Sequence, residues 1–372
     1  PAAAQDPEAV ALPPPPPVTA AGAVLWDPAD RAVLYGKDAA APRRMASTTK
    51  VMTVLLALEA GTVTDTVTVS AAAAQADNRP GAAGLGLAPG DRIAMSSLLA
   101  GLLLRSGNDA AVAVAEHVAG SEAAFVAGMN ARATELGLRD TVFLNATGLT
   151  DDPGHHASPL DLAVLADTAM RDPQFARWAG AQSLRVPGFG LLRNRNELLF
   201  RYPGATGVKT GFTALAGQCL IASATRDGRT LYAVVLGSED SFAEAGALLD
   251  HGFSGYRRAQ PLVAGAEAAR YRWADADVGV VAAAPLGVTV PVGEPVSWRT
   301  LLRPDLARPA PAGVPAGEAQ LLVEGEAAAT VGLVTAGAVP AAAPPVAAAA
   351  VGTALHDAVR AFVRLRPIDR AA

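Results

Sequence analysis

"RRMASTTKVMTVLLALEAG", residues 43–61, sets a lysine three positions after a serine in a chain that almost avoids lysine. Of its 30 basic residues only Lys37, Lys50 and Lys209 are lysines, and the rest are arginines. An arginine guanidinium keeps its proton in a protein, whereas a desolvated lysine amine can give it up. Keeping lysine at position 50 therefore suggests a need for a base. Apolar residues at Val51, Val54, Leu55 and Leu58, with a stop at Gly61, predict a helix. Positions i and i+3 share a helical face, which makes Ser47 and Lys50 neighbours at the helix start, where hydroxyls and free N–H groups gather. The same pattern also fits ordinary capping beside a solvated lysine. The rest of the chain has to decide between the two readings.

At 372 residues the chain exceeds the usual single-domain range, so two domains are expected. It is 51% hydrophobic, enough for a sizeable core, and its net charge of −5 comes with no basic cluster interleaved with aromatics. That excludes nucleic acid as an expected partner. The single Cys219 excludes an intramolecular disulfide framework and any multi-cysteine metal site, and within the strand-like "AGQCLIASA" it reads as a buried structural thiol. His117, His155, His156, His251 and His356 lack H-x-x-x-H or H-E-x-x-H spacing. Asp151-Asp152 and His155-His156 in "TGLTDDPGHHASP" read as a Pro/Gly loop bordering a cleft, so neither metal nor cofactor is expected. Trp26, Trp178, Trp273 and Trp298 are isolated and read as structural.

Residues 1–19 form an Ala/Pro-rich leader, extended and unable to pack as a core. Such a leader is expected either after a removed export signal or at the trimmed end of a cytosolic chain. Residues 20–260 alternate strands and helices. "GAVLWDPADRAVLYGKD" predicts a hairpin, "TVTDTVTVS" a strand, and "MSSLLAGLLLRSGNDAAVAVAEHVAG" two helices broken at 106–108. "SEAAFVAGMNARATELGL" and "SPLDLAVLADTAMRD" add helices, "GQCLIASATRDGRTLYAVVLGS" a hairpin, and "FAEAGALLDHGFSGY" a closing helix. The expected class is α+β, an antiparallel sheet flanked by helices. Residues 261–340 read as a small all-β domain. In 341–372 a Pro/Ala linker precedes a stretch with Val351, Leu355, Val359 and Phe362 on one helical face. It is too short and charged to span a bilayer, but amphipathic enough to lie on a membrane surface or pack on the protein.

Two further triplets repeat the theme of the first. "LLLRSGNDA" places Ser106 and Asn108 in an interhelical turn, and "ATGVKTGFTALAG" places Lys209, Thr210 and Gly211 before a strand. Ordered S-x-x-K, S-x-N and K-T-G elements resemble the signature set of penicillin-recognising serine acyl-transferases. Two of the chain's few lysines fall on the two motif lysines. The chemistry follows from the residue types. Ser47 is a weak nucleophile until a base takes its proton, and Lys50, desolvated and near the second cation Lys209, can be that base. Ser106 can relay a proton to the leaving group, and Asn108 can bind a substrate amide and orient Lys50. Thr210 offers a hydroxyl to a substrate carboxylate, and Gly211 allows a substrate strand to approach the sheet edge. Backbone N–H groups of Ser47 and Phe212 would form the oxyanion hole.

From about Ala20 to Tyr256 the chain resembles the low-molecular-mass D-alanyl-D-alanine carboxypeptidases, serine-type penicillin-binding proteins with a β-lactamase-like fold. "PRRMASTTKVMT", "FVAGMNARATELGLRDTVFLNATGL" and "ATGVKTGFTALAGQCLIASA" carry that resemblance beyond the triplets. It implies a small β-rich domain and a membrane-associating helix after the catalytic domain, and an exported enzyme at the outer face of the cell membrane. The implied substrate is the peptidoglycan stem pentapeptide, whose terminal D-Ala is released through an acyl-enzyme on Ser47, and β-lactams are implied inhibitors. The family often places a carboxylate-binding arginine near the start of the last catalytic helix, and "SEDSFAEAG" lacks one. That role would pass to Thr210 and Lys209 or to an arginine elsewhere. A class A-like β-lactamase is the rival within the same chemistry, but no glutamate lies between Glu135 and Glu197 to activate water. The same motifs would also sit in a non-hydrolytic wall-binding homologue or in a cytosolic esterase of this fold.

Overall fold

The computed structural model describes residues 12–76 and 83–342. Its chain divides into two compact units, Pro13–Ser254 and a second from Gly255 onward.

In the first unit, β1 (Gly22–Asp27) and β2 (Ala32–Lys37) form the expected hairpin. A 3-10 turn, Ala46–Thr49, leads into α1 (Lys50–Glu59). Next come β3 (Thr66–Thr68), α2 (Ala71–Ala74) and β4 (Arg92–Ala94), with β3 paired to β4. Then follow α3 (Met95–Arg105), α4 (Asn108–Ala119), α5 (Glu122–Glu135), α6 (Pro159–Met170) and α7 (Pro173–Ala179). A hairpin of β5 (Ser183–Val186) and β6 (Gly190–Arg193) precedes α8 (Leu198–Arg201). Three long strands, β7 (Ala205–Thr213), β8 (Gly217–Arg226) and β9 (Arg229–Ser238), and α9 (Ser241–Gly255) complete it.

The main sheet is antiparallel in the order β2-β1-β9-β8-β7. Its central strands are covered on both faces, which is why β1, β8 and β9 read as nearly unbroken apolar runs. The period of two still sorts their side chains. Val24, Trp26, Ile221, Val234 and Leu236 pack with α1 and α3 to α7 in one core. Ala23, Leu25, Leu220, Ala222 and Val235 pack with Leu248 and Leu249 of α9 in another. Arg229 and Asp27 pair at 3.0 Å, with the carboxylate fully buried. The end of the leader is tied down: Glu244 on α9 accepts from Thr19 N and Oγ1, both at 2.6 Å, and from Ala20 N at 3.2 Å.

The second unit is all-β. Here β10 (Tyr256–Leu262) pairs with β13 (Leu286–Pro291). A five-stranded sheet runs β11-β12-β16-β15-β14, formed by β11 (Glu267–Trp273), β12 (Ala276–Ala282), β14 (Val296–Leu302), β15 (Pro315–Val323) and β16 (Glu326–Thr335). Its core is built from Leu262, Val280, Leu286, Leu321 and Leu333. The amphipathic tail and most of the leader lie outside the described residues. Among the described residues no single helix is long and apolar enough to cross a membrane.

The sequence reading missed β4, the β5–β6 hairpin and α7. Their strands are three or four residues long, too short for an alternating pattern to emerge from the background. It also ran the helix at residue 50 back through Ser47, where the backbone is a 3-10 turn.

Candidate active site

The turn carrying Ser47 begins at Ala46, a non-glycine in the left-handed region (φ 48°). Such a backbone costs about 1 kcal/mol or more and persists only when its surroundings fix it. The Thr48 hydroxyl donates to Met45 O at 2.6 Å and the Thr49 hydroxyl to Ala46 O at 2.7 Å. Ser47 offers no capping bond; Ala46, Thr48, Thr49 and Lys50 are buried while Ser47 keeps partial access to solvent. In a 3-10 turn residues i and i+3 eclipse, and this brings Lys50 Nζ to 2.9 Å from Ser47 Oγ.

Lys50 is fully buried. Nζ also contacts Asn108 Oδ1 at 2.8 Å and Thr147 O at 2.6 Å. Burial first, then the positive charges of Lys209 and Arg195, push its pKa well below the ordinary lysine value, against a smaller opposing pull from Asp109. A neutral amine has two hydrogens and one lone pair. Two of its neighbours are carbonyl oxygens, which cannot donate, so they take both hydrogens. The lone pair then faces the Ser47 hydroxyl, with that hydroxyl as donor.

The segments carrying Ser106, Asn108 and Thr147 are held by the local chain, and among the described residues Asn108 and Thr147, not Ser106, hydrogen-bond to Lys50. Ser106 ends α3 in the left-handed region (φ 67°), which turns the chain so that Asn108 can open α4. Both side chains are nearly buried, Ser106 at 4% and Asn108 at 3% exposure. Asp109 fixes the segment before β4 by accepting from the backbone N–H groups of Leu85, Gly86 and Leu87. Thr147 O is presented by an Asx turn: Asn145 Oδ1 accepts from Thr147 N and Gly148 N. Gly148, at φ 76°, lies so close to Ala46 O that a Cβ would meet it at 1.9 Å.

On the other side β7 is the last strand of the sheet. Lys209 is 1% exposed, and its Nζ donates to Thr210 O at 2.8 Å. Burial, aided by Arg195, brings its pKa down to about 7. Thr210 is partly exposed and Phe212 is 67% exposed along the strand. Gly211 has a reason beyond the one expected. A Cβ there would meet Ser47 N at 3.0 Å and Met45 O at 3.1 Å, so the glycine admits the nucleophile's own turn against the strand.

Two groups escaped the sequence reading. Arg195 lies between Asn194, which donates to Ala179 O and Ala181 O, and Asn196, whose backbone N–H donates to Asn194 Oδ1. Its own N–H donates to Leu104 O at the end of α3. Partial desolvation and the neighbouring Arg105 lower its pKa. The signal was there in the N-R-N triplet, since a cation between two turn-forming asparagines is displayed by backbone the asparagines fix. The second is His155, expected only to border the cleft. It is buried, its Nδ1 accepts from Leu144 N at 3.0 Å, and Nε2 therefore donates to Thr49 Oγ1 at 2.7 Å. Burial first, then His156 and Lys50, hold its pKa at about 4 against Asp152. Cys219, as expected, is a buried thiol, with its pKa pushed up to about 12 by burial.

Comparison with known proteins shows what the chain is similar to. Residues 9–240 match the family model described as D-alanyl-D-alanine carboxypeptidase. The chain is 39% identical over 250 residues to D-alanyl-D-alanine carboxypeptidase DacF of Bacillus subtilis, spanning 64% of this chain and 63% of that relative's length. It is 33% identical over 326 residues to DacC of Escherichia coli, spanning 82% of this chain and 80% of the relative. Penicillin binding protein 5 from Haemophilus influenzae superposes with a TM-score of 0.74 at 30% identity, over 88% of this chain and 99% of that one. A family model covering well over half of the sequence, together with these likenesses, means that the chain belongs to the D-alanyl-D-alanine carboxypeptidase family.

Proposed function

We propose that the protein is a serine-type D-alanyl-D-alanine carboxypeptidase that removes the terminal D-Ala from peptidoglycan stem pentapeptides. The observation that carries this reading is the contact set of Lys50. Its amine is buried and depressed in pKa, and its two carbonyl neighbours leave the lone pair for Ser47. In the first step Ser47 Oγ attacks the carbonyl carbon of the D-Ala-D-Ala bond while its proton passes to Lys50 Nζ. The oxyanion takes hydrogen bonds from the backbone N–H groups of Ser47 and Phe212, single donors of this kind being worth about 3 kcal/mol. Ser106 relays the proton from Lys50 to the leaving nitrogen, the C–N bond breaks and D-Ala departs. Water then cleaves the ester and restores Ser47.

The terminal carboxylate is received by Thr210 and by the positive potential of Lys209, with Arg195 supplying the guanidinium that the start of α9 lacks. Arg195 acts on both lysines, which supports its position at this end of the site. Asn108 binds the substrate amide, and the substrate backbone lies along the free edge of β7 as an added strand.

A β-lactam would acylate Ser47 by the same route and leave slowly. No glutamate lies between Glu135 and Glu197. The nearby His155 spends both ring nitrogens on Leu144 and Thr49, so neither is left for water. The peptidoglycan substrate puts the enzyme's work outside the cytoplasm; contact of the 346–366 segment with a membrane surface is proposed on its amphipathic sequence alone. The decisive experiment incubates the purified protein with diacetyl-L-Lys-D-Ala-D-Ala and with benzylpenicillin. Released D-Ala and a penicilloyl mass increment on Ser47 are expected. Absence of both would leave a non-hydrolytic wall-binding protein.

A further inference from the structure

A cavity of about 410 Å³ is lined by Arg43 and Arg44, by the turn 214–217 that follows β7, and by Ala21, Leu236 and Gly237 at the adjoining ends of β1 and β9. Its position relative to the substrate follows from the proposed function, on which this inference rests. With the terminal carboxylate at Lys209 and Thr210 and the acylated carbonyl at Phe212, the stem peptide runs antiparallel to β7. Its upstream residues pass Thr213 toward the turn. At about 3.4 Å per residue, the residue two places before the acylated D-Ala is carried about 7 Å along, to Ala214 and Leu215.

The cavity is lined by the apolar side chain of Leu215 and by two arginines. Leu215 is 58% exposed. Arg43 is already committed, with Nη2 paired to Asp38 at 2.7 Å and Nε donating to Ala21 O. Arg44 is not. Its Nη2 donates to Asp151 O at 3.0 Å, Nε is buried without a partner, and among the described residues no carboxylate pairs with it. It precedes Ser47 by three residues. An arginine without a counter-charge at the end of an extended peptide track calls for a carboxylate, which its planar fork can bind with two parallel hydrogen bonds.

We infer that this cavity is a subsite for a carboxylate carried by the stem peptide upstream of the acylated D-Ala, with Arg44 as its specificity-determining residue. Two stem-peptide groups carry such a carboxylate. One is the α-carboxylate of a γ-linked glutamate two places upstream, which the strand register favours. The other is the side-chain carboxylate of a diamino acid one place upstream.

The test measures kcat/KM for D-Ala release from γ-D-Glu-L-Lys-D-Ala-D-Ala and from the same peptide with its glutamate α-carboxylate amidated. A second pair carries meso-diaminopimelate, free or amidated, in place of lysine. The free acid is expected to be preferred by about tenfold or more in one pair, and the pair that shows it identifies the carboxylate. Arg44→Gln should bring that ratio close to unity. Leu215→Glu, an exposed change that leaves Arg44 in place, should lower turnover of the free acid and spare the amide. Equal turnover of acid and amide in both pairs, or a ratio that Arg44→Gln leaves unchanged, overturns the subsite. Diacetyl-L-Lys-D-Ala-D-Ala, which lacks both carboxylates, reads the reaction separately. If it is released normally while the ratios are flat, only the subsite falls; if no peptide is turned over, the carboxypeptidase reading falls with it.

Discussion

The two units of the chain bury different things. From Gly255 onward the interior is apolar, and Thr335 is the one buried polar side chain among the described residues. The unit Pro13–Ser254 instead buries Lys50, Lys209, Asn108, Asp109 and His155 within the same fold that packs a large apolar core. Burying an ionisable group costs free energy unless it is paired or neutralised. An all-β unit that avoids the expense needs only to be stable. A unit that accepts it twice with lysine, on facing elements, has turned desolvation to chemical use.

Substitutions can be chosen to break that contrast. The largest effect is expected at Lys50. Lys50→Arg keeps a cation with hydrogen-bond donors but cannot give up its proton, so penicillin acylation of Ser47 should fall by about 100- to 10,000-fold. An acylation rate within a few-fold of wild type would mean that residue 50 is not the base.

A matched pair of glycines comes next. Gly211→Ala would push a methyl group against Ser47 N and Met45 O. Those neighbours must give by a few tenths of an ångström, and since a misplacement of about 1 Å can cost about a hundredfold, acylation should drop by about three- to tenfold. Gly332→Ala in β16 meets nothing within 4 Å and should change neither acylation nor thermal midpoint. Leu321→Ala sharpens the comparison from the other side. This fully buried residue of the second core should lose about 2–5 kcal/mol of stability, read by chemical denaturation, while the acylation rate stays put.

The smallest effects lie in pH. Lys209 has a folded pKa of about 7 against an ordinary 10.5, so within that window the unfolded chain holds more protons than the folded one. Stability from this group therefore rises with pH between about 7 and 10.5, and Lys50 adds in the same direction. Lys209→Arg should flatten that part of the stability profile. It should also move the alkaline limb of kcat/KM upward, because a guanidinium keeps its charge.

Much of the site could be read from the sequence because it depends on residue types at fixed spacing. Lysine scarcity exposed positions 50 and 209, and the Ser106–Asn108 break falls where a polar triplet interrupts two apolar helical runs. The long strands were legible for the same reason, as apolar runs bounded by turns. Less legible were contacts made by backbone and by fold. Thr147 supplies a carbonyl that any residue could supply. Gly211 yields to the turn at Met45–Ser47, which only the tertiary approach reveals. His155 is legible as a loop residue, but its bonds to Thr49 and Leu144 exist only after the loop closes over the nucleophile's turn.

The scarcity of lysine also offers the cleanest measurement. With only Lys37, Lys50 and Lys209 in the chain, lysine labelled with ¹⁵N and ¹³C gives three side-chain signals, assignable by single Lys→Arg replacements. Titrated by NMR, the Lys50 signal should show a neutral amine well below pH 10.5, with Lys209 changing state near pH 7. A Lys50 signal that stays an ammonium up to its ordinary titration range would show that burial has not made it a base, and the proposed activation of Ser47 would be wrong.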